Sequence, residues 1–189
     1  KYRNYHSRYM QVDEKTLLSL LADEKTQHKA FEILVRQYSE PLYRQIRRMV
    51  LYHDDADDVM QNTFIKAWKG LPTFEGRSKL SSWLYRIAIN EALDFLHHSN
   101  ATTTIDGEGD GQGVAAHLMA DEYFEGDEAE ARLQEAIHRL PDVQRTVFQL
   151  KYYEDMKYSD ISKILGTSEG ALKASYHIAV KKISSFLSS

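Results

Sequence analysis

The sequence predicts an all-α protein with two small helical domains joined by a flexible linker, the second containing a helix-turn-helix. Three observations support this fold class. Apolar residues recur with helical spacing along most of the chain, whereas the alternation typical of strands is scarce. Only three prolines interrupt the 189 residues. A segment rich in glycine and acidic residues, from 106 to 113, separates the two helical parts and is flexible by composition.

Composition narrows the class of protein further. Hydrophobic residues make up 42% of the chain, which favours packed cores over disorder. There is no cysteine, which excludes disulfides and thiolate metal sites and fits a reducing compartment. No apolar run approaches the ~20 residues that span a bilayer, and no signal peptide opens the sequence. We therefore expect a cytoplasmic protein without membrane insertion, although Lys1 stands first, so that preceding sequence could be missing.

The charge is distributed unevenly around a net value of −4. Between Ala101 and Ala131 there are nine acidic residues and no Lys or Arg, whereas Val143 to Ser189 holds seven Lys or Arg against four acids. Such asymmetry suits a protein with a protein-binding face and a DNA-binding face. On charge alone, a solvated linker beside an ordinary domain is the simpler explanation.

Four helices are predicted in the first domain, residues 1–98. The first runs from Val12 to Leu21 with Asp13 as a plausible cap. In the second, which is long, Pro41 is expected to kink or divide the helix. The apolar face of this second helix comprises Phe31, Leu34, Val35, Tyr38, Leu42, Ile46 and Met49.

The other two helices of this domain flank a polar loop over residues 73–79. We expect Asp54 or Asp55 to cap the third helix, which runs to about Leu71 before Pro72 stops it. Ser81 or Ser82 is expected to cap the fourth. The buried stripe predicted for the fourth helix is Tyr85, Ile89, Ala92, Leu93 and Leu96.

Residues 99–126 are predicted to form an acidic flexible linker, and helical spacing returns in the second domain, residues 127–189. A helix over 129–140 ends at Pro141, and Asp142 is expected to cap the next one. The last two helices lie on either side of Gly166, with Thr167 or Ser168 as the cap of the final helix. A short helix, a glycine turn and a longer helix form the helix-turn-helix pattern.

In a helix-turn-helix the second helix enters the major groove and its exposed face reads base edges. Here that face presents two lysines that can meet phosphates and a histidine that can reach a base or a phosphate. No arginine, the usual reader of guanine, is among them, so weak binding of duplex DNA is expected from this domain alone. A plain helical hairpin remains the alternative. The candidate residues are Ser168, Lys173, Ala174, His177 and Lys181.

Two further patterns lie in the first domain. Asp58, Gln61, Ile65 and Lys69 share one helix face, and an exposed Ile among polar groups suits a protein interface, with a solvated face as the alternative. The loop and the start of the fourth helix combine aromatic rings, cations and an amide, which suits single-stranded DNA. For Trp83 core packing is an equally good explanation, and for the polar residues simple solvation is the alternative. These residues are Phe74, Arg77, Ser78, Lys79, Trp83, Arg86 and Asn90.

Two segments, Asp54–Leu71 and Phe74–Leu96, closely resemble region two of the extracytoplasmic-function (ECF) sigma factors of the sigma-70 family. They carry D-x-x-Q, then K-A-W, a loop, and W-L-Y-R-I-A-x-N ending at Asn90. Val143–Leu187 resembles region four of the same family. The resemblance covers nearly the whole chain outside the N-terminal tail and the linker.

The resemblance implies an alternative sigma factor that binds core RNA polymerase, recognises and helps melt promoter DNA, and directs transcription initiation. It assigns the third-helix face to the clamp helices of the largest polymerase subunit, and implies the flap region as a further contact. It implies that the loop captures a flipped base of the minus-ten element, with Asn90 shaping the pocket, and that the helix-turn-helix binds the minus-thirty-five element. An anti-sigma factor or other recruiting regulator is a common partner in the family.

We define three sets from these assignments. The minus-ten set is the group of seven loop and fourth-helix residues above, and the minus-thirty-five set is the group of five helix-turn-helix residues. The polymerase set is Asp58, Gln61, Asn62, Ile65 and Lys69.

The sequence departs from the family pattern at Ala174, Ser175 and Ile178, where basic or hydroxyl residues are common. We therefore hypothesise that polymerase or a recruiting partner must hold this domain on DNA; a tight, salt-sensitive complex of the isolated domain with one duplex would contradict this. Two other functions stay open. A sigma-like adaptor would bind regulators without initiating transcription, and a helix-turn-helix repressor would bind duplex DNA without polymerase.

No enzyme is expected, because no nucleophile, base and orienting group form a constellation. No cofactor is expected either. The glycines at 107, 109 and 111 follow no strand, as a phosphate-binding loop would require. The acidic residues from Asp106 resemble the start of a calcium loop, but His117 occupies the twelfth position, where a bidentate Glu is needed, so no metal site is expected.

Overall fold

The computed structural model describes residues 12–106, 113–124 and 126–188, and within these ranges the chain is helical without strands. The predicted all-α class is confirmed. No helix in these ranges has the length and apolarity needed to cross a membrane. The helices are α1 (Glu14–Ala22), α2 (Gln27–Val50), α3 (His53–Gly70), α4 (Leu80–Asp106), α5 (Val114–Ala120), α6 (Glu128–His138), α7 (Asp142–Tyr152), α8 (Tyr158–Leu165) and α9 (Glu169–Leu187).

Helix α1 begins as expected, whereas Pro41 does not divide α2. The Asp13 side chain accepts a hydrogen bond from the Thr16 amide and caps α1. Helix α2 runs without interruption through Pro41, so the expected division is wrong. A proline removes one intrahelical hydrogen bond, and burial of Leu42 and Ile46 just beyond it offsets that cost.

The predicted caps of α3 and α4 are also wrong. Tyr52 precedes α3 without a side-chain cap. Asp54 and Asp55 lie inside the first turn of α3, where their negative charges interact favourably with the positive end of the helix dipole. Helix α4 begins at Leu80, so Ser81 and Ser82 lie within the helix.

A side chain from α1 instead satisfies the first turn of α4. The Leu80 amide donates to Glu14 Oε1 at 2.9 Å. A free helix-terminal amide therefore finds its acceptor 66 residues away in the sequence, which no local pattern reveals.

The first four helices pack around one apolar core. Helix α3 ends at Gly70, and a 3-10 turn over Leu71–Thr73 containing Pro72 follows, as expected. The predicted stripe of α4 is inward, with Tyr85, Ile89 and Ala92 buried. Further fully buried side chains in this core are Leu17, Leu34, Met49, Leu80 and Leu84.

Part of the range predicted as linker is helical. Helix α4 continues to Asp106, and α5 occupies Val114–Ala120. Leu118 of α5 packs with Leu51 and Ala131, so α5 connects the end of α2 with α6. Most of the glycine-rich segment, residues 107–112, lies outside the described residues. The boundaries at 98 and 126 stay a prediction.

The helix-turn-helix is present where the sequence places it. Helix α8 ends at Gly166, whose φ of 65° suits glycine, and the Ser168 side chain caps α9. The expected cap at Asp142 is displaced by one residue, because Pro141 is the N-cap of α7 and Asp142 is its first helical residue.

The two halves of the chain share a core. Val147 and Leu150 of α7, and Ile161 and Ile164 of α8, belong to the same buried cluster as the apolar residues of α1 to α4. Helix α8 packs against α4, and α7 packs against α2. The helix-turn-helix half is therefore folded directly onto the first half.

A titratable group lies at the junction of α6 and α7. Burial, followed by the nearby charge of Arg145, lowers the pKa of His138 to about 4. Its Nδ1 is buried without a hydrogen-bond partner among the described residues. The fold thus favours the neutral form of His138, because the charge of Asp142, which also pairs with Arg145, opposes the shift less than burial and Arg145 drive it.

We predict a loss of stability in mild acid. The unfolded chain binds a proton at His138 near pH 6.5, and the folded chain does so only near pH 4, so this contribution is complete above pH 6.5 and is lost as pH falls towards 4. Urea unfolding should give a free energy about 1–2 kcal/mol lower at pH 5 than at pH 7 from this group. His138→Leu should remove that difference, and the exposed His177→Leu should retain it. Equal pH dependence in H138L and the unaltered chain would contradict the assignment.

Candidate functional site

The polymerase set forms the outer face of α3. Its five residues are all exposed, whereas Met60, Thr63 and Ala67 on the opposite side are buried. Ile65, at the centre, is 51% exposed and is one of the large apolar side chains that the described surface leaves in solvent. An apolar centre with a polar rim is the composition of a protein-binding patch.

Charged residues lie at the edges of this face. Lys66, next to Ile65, forms an ion pair with Glu91 of α4. At the start of α3, burial and then the charges of Asp58 and Asp54 raise the pKa of Asp55. The face therefore runs from an acidic end to Lys69 at the end of the helix.

The loop before α4 rests on an aromatic pair. Phe74 and Trp83 lie with ring centroids 4.9 Å apart at 43°. Gly70 allows the close approach of the tryptophan, because a Cβ there would lie 3.1 Å from Trp83 Cζ2. Trp83 is half-buried, so part of its side chain packs and part stays accessible to solvent.

The polar members of the minus-ten set lie in the loop that carries Phe74 and along α4, which carries Trp83. The Arg77 side chain is 85% exposed and meets Glu75 at 2.5 Å, an exposed ion pair of little energetic value. The turn between them uses Gly76 at a φ of 70°. Lys79 and Asn90 are exposed, and Ser78 is half-buried.

Arg86, the seventh member of the minus-ten set, is engaged elsewhere. Its guanidinium donates to the backbone carbonyl of Lys163, near the end of α8. In this structure the arginine thus contacts the helix-turn-helix half instead of standing free beside the loop.

The minus-thirty-five set lies on the outer face of α9. Ser168 accepts a hydrogen bond from the Ala171 amide, and Lys173 Nζ lies 5.7 Å from the centre of the Tyr158 ring. The other three residues of the set are exposed. Ile178, on the same side, is 44% exposed, so this surface is more apolar than is usual for a helix that contacts DNA.

Sequence reasoning missed the polar contacts between the two halves. Glu154, Arg48 and Tyr85 meet at the interface, and Gln45 lies opposite Gln149. Both glutamines occupy positions in otherwise apolar helix faces, which is the one signal that could have identified them.

No group of three His, Asp or Glu side chains suited to a metal ion occurs in the described ranges, while Glu108 and Asp110 of the calcium-like segment lie outside them.

The structure combines a helix-turn-helix with a second helical unit, whose loop exposes cations beside an aromatic pair. This combination is typical of a DNA-binding protein with two parts. Family models match both parts: Sigma-70 region 2 over residues 34–102, and Sigma-70 region 4 over residues 130–183. The chain therefore belongs to the sigma-70 family, and an ECF relative 30% identical over most of both chains places it among the ECF sigma factors of that family; it is a promoter-recognising initiation factor.

Relatives of known class are similar in sequence to most of the chain. The ECF RNA polymerase sigma factor SigW of Bacillus subtilis is 30% identical over 162 residues, covering 82% of this chain and 87% of that protein. The RNA polymerase sigma-H factor of Pseudomonas aeruginosa is 32% identical over 162 residues, covering 77% and 80%. SigM of Mycobacterium tuberculosis is 29% identical over 170 residues, covering 90% and 82%.

Two solved structures share the fold. CnrH in complex with the cytosolic domain of CnrY gives a TM-score of 0.68 at 23% identity, covering 93% of this chain and 97% of that chain. The sigma factor RpoE of Bartonella quintana, in complex with the anti-sigma factor NepR, gives 0.69 at 23% identity, covering 85% and 98%.

We predict that Gly70→Ala destabilises the fold. The added methyl would push Trp83 against Phe74, at a cost of about 1 kcal/mol or more in the free energy of unfolding. Gly170→Ala is the matched control, because nothing lies within 4 Å of a Cβ there and alanine favours a helix, which should add about 0.5 kcal/mol. Denaturant unfolding of both variants tests this; a stabilised G70A would show that the tryptophan is free to move.

Proposed function

We propose that this factor binds core RNA polymerase through the polymerase set on α3 and captures promoter DNA through the minus-ten set. The observation that carries the proposal is the placement of both sets on adjacent helices of one packed unit. Helix α3 presents Ile65 outward, and the loop that follows it leads directly into α4. Polymerase binding would thereby hold the loop at a fixed position relative to the DNA.

Capture of an unpaired base would rest on the loop chemistry. Extruding a base costs a few kcal/mol, and stacking on an aromatic side chain returns about 1–3 kcal/mol. Phe74 and Trp83 supply the aromatic rings for stacking, Arg77 and Lys79 follow phosphates, and the amide of Asn90 reads a base edge. Polymerase binding supplies the remainder, so the factor helps melt the promoter without nucleotide hydrolysis.

The minus-thirty-five set would contact duplex DNA from the outer face of α9. Lys173 and Lys181 suit phosphates, and Ala174 leaves room for close approach in the groove. Because this face has no arginine, we propose that polymerase, through its flap region, keeps the domain on its DNA element. In this proposal the first domain spans residues 1–98, the linker spans residues 99–126, and the second domain spans residues 127–189.

The factor would act by binding alone, in the cell interior where polymerase works, and would catalyse no reaction of its own. We also propose an anti-sigma partner. The two fold relatives are complexes, of CnrH with the cytosolic domain of CnrY and of RpoE with the anti-sigma factor NepR, which supports a regulator of that kind for this chain.

Reconstitution with core polymerase tests the proposal. The chain should co-elute with core polymerase on gel filtration and yield transcripts from a promoter library. Ile65→Ser should weaken polymerase binding about tenfold, since it removes the apolar centre of the interface, while leaving the thermal midpoint unchanged. Met119→Ser, which alters an apolar side chain of similar exposure on α5, is the matched control and should bind core polymerase normally. If the unaltered chain gave neither a complex with core polymerase nor a transcript, the proposed function would be refuted.

The minus-ten set is tested separately. Arg77→Ala and Asn90→Ala should retain polymerase affinity and lower promoter opening, followed by permanganate reactivity of unpaired thymines, by about tenfold or more. Lys29→Ala, which removes an exposed cation from α2, should open the promoter normally. Full opening by both loop variants would place the base pocket elsewhere.

A further inference from the structure

The outer face of α9 has an apolar side chain that the core does not use. Leu172, Ala179 and Ile183 fill the buried side of this helix. Ile178 points elsewhere, because it is 44% exposed and does not pack with the cluster around Ala179 and Ile183. Its exposed surface is therefore available to a partner without any change in the fold.

The residues around Ile178 on the helix surface are cationic or ionisable. Lys181 and Lys182 follow it at i+3 and i+4, the two positions that are neighbours on a helix surface, and His177 precedes it. All three side chains are exposed. After Glu169, in the first turn, α9 carries no acidic residue. The isoleucine therefore lies in a positively charged surface that contains no carboxylate to repel phosphates.

This combination of charge and exposure favours duplex DNA over a protein as the partner of Ile178. Lysine is depleted in protein interfaces, whereas lysines beside a groove-binding helix neutralise phosphates. Ile178 also belongs to the second helix of the helix-turn-helix, the element that enters the major groove. An exposed isoleucine at this place faces base edges when the helix is seated on DNA.

The chemistry of the major groove selects one base for such a side chain. Thymine displays a 5-methyl group there, and apolar side chains contact it. Cytosine at the same place presents an amino donor, which an isoleucine leaves without an acceptor. Helix α9 contains no Arg, Asn or Gln, so the bidentate contacts of arginine with guanine and of the amides with adenine are not available to it.

We propose that Ile178 is a specificity-determining residue of α9, which selects thymine in the upstream duplex element by contact with the thymine 5-methyl group. This inference rests on the proposed function, since it requires α9 to lie in the major groove. Contacts of the lysines with phosphates add affinity without base preference, so the preference comes from the apolar contact. Ala174, one turn earlier and exposed, adds a second small apolar group on the same side.

A uracil scan of the bound DNA tests the contact. The full-length chain is assembled with core polymerase, and a promoter library with a randomised upstream duplex is transcribed to find the enriched element. That element is then remade with uracil in place of each thymine in turn, which removes the 5-methyl group and keeps the base pair. At one position uracil should weaken binding of the complex about fourfold, the scale of burying one methyl group. Fluorescence anisotropy gives the Kd for each duplex.

Three variants assign the uracil effect to one side chain. Ile178→Ser should bind the thymine and uracil duplexes equally, because a hydroxyl replaces the apolar surface. Ile178→Val keeps an aliphatic contact and should keep the thymine preference. Val180→Ser is the matched control, because this side chain is 37% exposed and lies about 160° around α9 from Ile178. It should retain the full uracil effect, and circular dichroism checks that each variant keeps its helices.

The outcomes separate this inference from the proposed function. Transcription from an enriched element without A·T pairs, a scan without a uracil effect, or an effect that I178S retains overturns the role of Ile178 and leaves the proposed function intact. If I178S lowers the affinity for core polymerase instead, Ile178 faces a protein and the inference is wrong. If the library yields no transcript at all, the proposed function fails and the inference fails with it.

Discussion

Burial of helix α4 is the constraint on which the rest of the structure depends. Leu80, Leu84 and Ala88 are fully buried, and α4 packs against α2, α3 and α8. One side of this helix completes the core of the first half, and its start carries the loop with its cations. Because α4 is fixed on several sides, the exposed side chains of the loop stand on a rigid support.

Helix α4 also contributes Tyr85 to the polar contact between the two halves. Burial, and then the adjacent charge of Glu154, raise the pKa of the Tyr85 hydroxyl, which therefore acts as a hydrogen-bond donor. Buried charge is tolerated here because Arg48 balances Glu154 and both carboxylate oxygens have partners. Polar contacts of this kind specify one arrangement of two halves, whereas apolar packing alone permits several.

The relation between sequence and structure differs from element to element. The helix-turn-helix was predictable because glycine at 166 and serine at 168 act locally, through a left-handed turn and a cap. The caps at Ser81 and Ser82 were wrong because Glu14, distant in sequence, supplies the acceptor. Pro41 does not break α2, since buried neighbours on both sides keep the helix continuous.

The sequence by itself determined the all-α class, the helix-turn-helix and the family, because helical periodicity, turn residues and motif spacing are local properties. It also indicated the exposed faces of α3 and α9. Only the tertiary structure decided that the two halves share a core and that Arg86 and Glu154 reach across it. Those contacts join residues more than 60 positions apart, and their free energies depend on burial, which no local pattern encodes.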